Sequence, residues 1–134
     1  MTDTLSGQTI LVVDDEIDVR ELVRDVLSRD GYQVIDTGDP FEARRVAERQ
    51  PVHLLLTDVV MPIMNGVDLA KRVETVSPTT KVLLMSGYST TTSKSSGRPI
   101  ISKPFRASDL VNAVRQILDS RSAFQRPTSP PLPG

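Results

Sequence analysis

Short apolar runs and amphipathic stretches alternate along this chain, and few folds accommodate that rhythm. "TILVV" (Thr9–Val13), "HLLLT" (His53–Thr57), "KVLLM" (Lys81–Met85) and "PIIS" (Pro99–Ser102) lack a polar face, as strands buried on both sides do. "YQVID" (Tyr32–Asp36) reads as a further strand. Between them, Ile17 to Leu27 carries Leu22, Val23, Val26 and Leu27 at helical spacing, and Gly31 ends that helix. Asp39 before Pro40 is a helix start, and the helix runs through Ala43, Val46 and Ala47 until Pro51 stops it. Val67–Val76 turns Val67, Leu69, Ala70 and Val73 inward. Ala107–Arg121 places Leu110, Val111, Val114, Ile117 and Leu118 on one stripe. Strand–helix alternation predicts an α/β, doubly wound parallel sheet with helices on both faces. Residues 1–121 then form one domain, and 122–134, ending in "PTSPPLPG", a flexible proline-rich tail.

The reactive side chains fall at matching places. Asp14 and Asp15 follow the first run, Asp58 the third, Ser86 the fourth and Lys103 the fifth. Open parallel sheets bind ligands at the carboxyl ends of their strands. The alternation therefore gathers three carboxylates, a hydroxyl and an ammonium in one crevice. Two carboxylates about 4 Å apart repel by roughly 4 kcal/mol at an effective dielectric near 20, and one lysine cannot offset three of them. A hard divalent cation can. Asp14, Asp15 and Asp58 offer only oxygen, with no histidine or cysteine nearby in sequence, which favours Mg²⁺ over zinc, with Mn²⁺ as a substitute. A carboxylate facing such a cation beside a lysine suits phosphoryl transfer, the ionised aspartate attacking in line.

Composition removes several alternatives. Sixteen basic and seventeen acidic residues give a net charge of −1, so no basic surface points to nucleic acid. No segment approaches the roughly 18 apolar residues of a membrane span, and "MTDTLSGQTI" lacks the pattern of a signal peptide, so a cytoplasmic location is expected. Cysteine is absent, which excludes thiol chemistry. No G-x-x-x-x-G-K-[ST] or G-x-G-x-x-G loop supports nucleotide binding. His53, the single histidine, opens a strand and is read as structural.

"ILVVDDE", "LLLTDVVMPIMNG", "VLLMSGY" and "SKPF", in that order, resemble the receiver domains of two-component response regulators over about residues 8–121. "VLLMSGYS" and "TDVVMP" look particularly like receivers attached to hybrid sensor kinases. The resemblance implies a flavodoxin-like sheet of order 2-1-3-4-5. It implies Asp58 as phosphoacceptor, Asp15 as a direct Mg²⁺ ligand, Asp14 largely through water, and the Val60 carbonyl as a further ligand. Ser86 and Lys103 would meet phosphoryl oxygens, Gly87 would leave room for access, and Pro104 would be cis. The implied partners are a sensor histidine kinase or histidine phosphotransfer protein and a downstream protein target.

The chain departs from the family in two places. Ile100 stands where an aromatic switch residue is usual. "STTTSKSSGR" (Ser89–Arg98), within the thirteen residues from Gly87 to Pro99, has no apolar stripe. A parallel crossover needs about a dozen residues and is usually helical. The fourth crossover helix is therefore expected to be short or absent. Its absence would uncover the sheet near Val82, Leu84, Ile100 and Ile101, a face open to homodimerisation. The function expected is a phosphorylation-controlled signalling module without an output domain, not a turnover enzyme, which catalyses its own phosphoryl transfer and dephosphorylation. The alternatives are a receiver fragment of a hybrid kinase, a phosphate sink, a receiver that only binds a partner, and an aspartyl-nucleophile phosphatase. The last would normally carry a second acid where this chain has Val60.

Overall fold

The computed structural model describes residues 7–87 and 97–125, with side chains as far as Asp119. Five strands, β1 (Thr9–Val13), β2 (Gln33–Thr37), β3 (Leu54–Asp58), β4 (Lys81–Ser86) and β5 (Ile100–Ser102), form one sheet. Every pairing is parallel and the order is β2-β1-β3-β4-β5. Four helices lie among the described residues: α1 (Ile17–Arg29), α2 (Pro40–Arg49), α3 (Gly66–Val76) and α4 (Ala107–Gln125).

Side chains alternate across a strand, so each run feeds two cores. Leu11, Val13, Leu55, Val82 and Leu84 pack beneath α2 and α3, with Ala43, Ala47, Leu69, Ala70 and Val73. Ile10, Val12, Leu54, Leu56, Leu83 and Met85 pack beneath α1 and α4, with Val23, Leu27, Leu110 and Val114. Both faces of β1 and β3 are thus closed, which is why those strands read as unbroken apolar runs. Local signals set the helix starts. Asp39 caps α2 by accepting from the Phe41 amide, with Pro40 in the first turn, and Asn65 caps α3 by accepting from the Asp68 amide. His53 is structural: its Nδ1 accepts the Thr9 amide at 2.9 Å where β1 begins.

Several expectations need correcting. Leu22, counted among the helically spaced apolar residues of α1, is 53% exposed, because it is turned about 100° from Val23, which is buried. Val82 and Leu84 are buried rather than uncovered. Ile101 does not share their face: it packs with α1 and α4, whereas Ile100 packs on the opposite side, as neighbours in a strand must. The last helix runs to Gln125, four residues into the segment expected as tail. The expectation of a short or absent fourth crossover helix falls mainly on residues 88–96 and lies outside the described residues, as does "PTSPPLPG".

Candidate functional site

The carboxyl ends of β1, β3, β4 and β5 meet at one rim. Asp58 is the last residue of β3 and is level with Met85 of β4. Asp14 and Asp15 leave β1, and carboxylate oxygens of Asp14, Asp15 and Asp58 lie within 4.8 Å of one another. Lys103, just past β5, reaches back over them. Its Nζ donates to Asp14 Oδ2 at 2.9 Å and stands 3.6 Å from Asp58 Oδ1. The Lys103–Pro104 peptide bond is cis. Asp15, Glu16, Asp58, Val60, Gly87 and Lys103 line an open hollow of about 360 Å³.

Asp14 is the anchored member of the trio. It is 0% exposed; its Oδ1 accepts the Glu16 amide at 2.9 Å and its Oδ2 accepts Lys103. Its own amide donates to the Thr37 carbonyl at 3.3 Å, and its carbonyl accepts Arg20 Nη1 at 2.9 Å. Asp15, by contrast, is exposed. Asp58 is 8% exposed, and the backbone N–H of Val60 bonds to its carboxylate. Ser86 is 1% exposed at the end of β4 and does not line the hollow, where its neighbour Gly87 stands open, with space for a Cβ. The Ser86 carbonyl accepts the Lys103 amide at 2.7 Å, which ties the β4 and β5 ends together.

The electrostatics follow from this crowding. Burial pushes the Asp58 carboxyl above its ordinary range, Lys103 and the Val60 amide oppose that, and Asp14 and Asp15 add to it. Burial works to lower the Lys103 pKa, but the hydrogen bond and charge of Asp14, with Asp58 and Glu16, outweigh it and leave the ammonium held above its usual value. One ammonium faces three carboxylates with only oxygen donors around them, the chemistry of a hard-cation site. The cluster is able to hold a metal ion.

Sequence reasoning missed two contributors. Glu16 lines the hollow with its side chain 4.0 Å from Lys103 and lends its amide to Asp14; it continues the acidic run of "DDE", which was the available signal. Gly66 packs directly on the Asp58 carbonyl, and its amide donates to the Val59 carbonyl at 2.7 Å. In sequence, Asn65 and Gly66 read only as part of a loop.

Sheet order and acidic rim together define a doubly wound α/β protein with a carboxylate-lined site at the strand ends, and comparison with known proteins makes the class specific. The response regulator receiver domain profile matches residues 10–115, and the chain belongs to that family. It is 33% identical over 114 residues to the response regulator receiver protein CpdR of Brucella abortus, covering 81% of this chain and 95% of that one. Against the transcriptional regulator NtrC of Azospirillum brasilense the identity is 34%, covering 88% of this chain but 26% of the relative. A CheY-like receiver from Methanospirillum hungatei superimposes with a TM-score of 0.80 at 27% identity, covering 87% of this chain and 98% of the other. The receiver of the hybrid histidine kinase CckA gives 0.72 at 34% identity, covering 82% and 98%. The protein is therefore a receiver module of two-component signalling, and no described helix is long and apolar enough to cross a membrane.

Proposed function

We propose that this receiver accepts a phosphoryl group on Asp58 from a histidine of a sensor kinase or histidine phosphotransfer protein, and then signals through protein–protein contacts. The observation that carries the reading is the setting of Asp58: a nearly buried carboxylate beside Lys103, in a hollow shared with two further carboxylates. Asp14, Asp15, Asp58 and the Val60 carbonyl would hold Mg²⁺, with Mn²⁺ as a substitute. Bound there, the cation supplies positive charge against the carboxylates and the phosphoryl oxygens.

The chain's own groups do the rest. Ionised Asp58 attacks phosphorus in line, and the donor imidazole leaves. Lys103 pairs with one phosphoryl oxygen, the Ser86 hydroxyl would have to turn from its buried place at the end of β4 into the hollow to donate to another, and Gly87 leaves the mouth clear. The same groups serve water when the acyl phosphate is hydrolysed. His53 cannot be the donor, since it is engaged with Thr9 at the opposite end of β3. Val60, in place of a second acid, disfavours turnover of external phosphoesters.

Incubation with acetyl phosphate and Mg²⁺ tests this by intact mass. One phosphoryl adduct is expected in the native chain and none in Asp58→Asn or in EDTA. An adduct that survives Asp58→Asn removes the assignment. Steady phosphate release from varied esters would point to a phosphatase, and no reaction at all to a receiver that only binds.

A further inference from the structure

We infer that Arg20 is a positioning residue: it aims Asp15 into the hollow by clamping the peptide bond that carries it, an inference that rests on the Mg²⁺ reading above. Arg20 lies in the first turn of α1, directly behind the acidic turn, with its side chain only 16% exposed. Its Nη1 donates to the Asp14 carbonyl at 2.9 Å and its Nε to Asp36 Oδ2 at 3.1 Å, so strand β2 holds the guanidinium while the guanidinium holds the turn. The carbonyl it grips belongs to the Asp14–Asp15 peptide. A peptide unit is planar, so fixing its oxygen fixes the direction in which Asp15 leaves. Asp14 has no comparable need, because the Glu16 amide and Lys103 already hold its carboxylate. Asp15 is exposed and depends on its backbone.

Gly38 leaves room for the guanidinium beside the turn. A Cβ there would stand 2.6 Å from Arg20 Nη1 and 3.5 Å from the Asp14 carbonyl oxygen. Its φ is not among the positive values found at Gly31 and Gly97, so the glycine serves space and not conformation. The end of β2 thus supplies both an anchor for the guanidinium at Asp36 and an empty slot for it at Gly38.

A plain staple between α1 and β2 is the competing account, and charge separates the two. Removing a cation beside a cation site should tighten Mg²⁺ binding by Coulomb's law. Losing the clamp should weaken it, as loss of groups that orient metal ligands does. Arg24 is the control: it also pairs with Asp36, at 3.3 Å, and no bond joins it to Asp14.

Calorimetric Mg²⁺ titration of the native chain, Arg20→Ala, Gly38→Ala and Arg24→Ala, with circular dichroism to confirm folding, decides the matter. Affinity is expected to fall about tenfold in Arg20→Ala and to hold or rise in Arg24→Ala. Native or tighter affinity in folded Arg20→Ala overturns the clamp, and so does an equal loss in Arg24→Ala. If Arg20→Ala does not fold, Gly38→Ala decides, since it keeps the charge and displaces only the guanidinium: weaker binding supports the clamp, unchanged binding overturns it. A native chain that takes up no Mg²⁺ brings down the metal reading, and the clamp with it. Native binding with an unmoved variant brings down the clamp alone.

Discussion

Burial and the charges of Asp14 and Asp15 raise the Asp58 carboxyl while Lys103 and the Val60 amide oppose them, and the upward direction prevails. The folded state therefore holds that proton more tightly than the unfolded chain. Its stabilising effect is complete below the ordinary carboxylate pKa of about 4 and is lost as pH rises through the higher folded value. At neutral pH the ionised Asp58 weighs against folding. Asp58→Asn should accordingly be more stable than the native chain at pH 7 without metal, with the gap closing towards pH 4. Urea melts at the two pH values measure this, and a variant no more stable at pH 7 would contradict it. Asp14, Asp15, Asp58 and Lys103 were legible because each follows an apolar run at a strand's carboxyl end. Arg20 was not. A charged residue on an amphipathic helix reads as solvated, and a bond from a guanidinium to a distant backbone oxygen leaves no pattern in sequence.

At the scale of elements, period and punctuation carried most of the fold. Proline and the Asp39 and Asn65 caps set the starts of α2 and α3, and unbroken apolar runs marked the strands. What failed was the facing of single residues such as Leu22 and Ile101, since a run of neighbouring apolar residues does not say which of them turns outward. Gly66 shows an element join that neither period nor capping reveals. Helix α3 begins hard against the end of β3, and a Cβ on Gly66 would collide with the Asp58 carbonyl oxygen and stand 2.9 Å from its carbon. Both partners are backbone and neither can rotate aside. Gly66→Ala should cost about 1–3 kcal/mol in chemical denaturation and slow adduct formation at Asp58. A variant with native stability would mean that the β3–α3 join is looser than drawn.

For the whole molecule, the cation and the fold should be linked. A ligand that binds only the folded state at about one hundred times its Kd adds about 2.7 kcal/mol. Mg²⁺ is therefore expected to raise the melting temperature, EDTA to reverse the effect, and Asp15→Asn to shrink it. A melting temperature indifferent to Mg²⁺ would argue that the carboxylates do not act together. They are brought together only by tertiary structure: Lys103 and Asp14 lie 89 positions apart and come from strands with β3 and β4 between them. During synthesis, then, the first carboxylates leave the ribosome long before their counter-charge does. A chain cut short before β5 would therefore hold its acidic cluster without the ammonium that faces it, and the rim is completed only when that strand joins the sheet's edge.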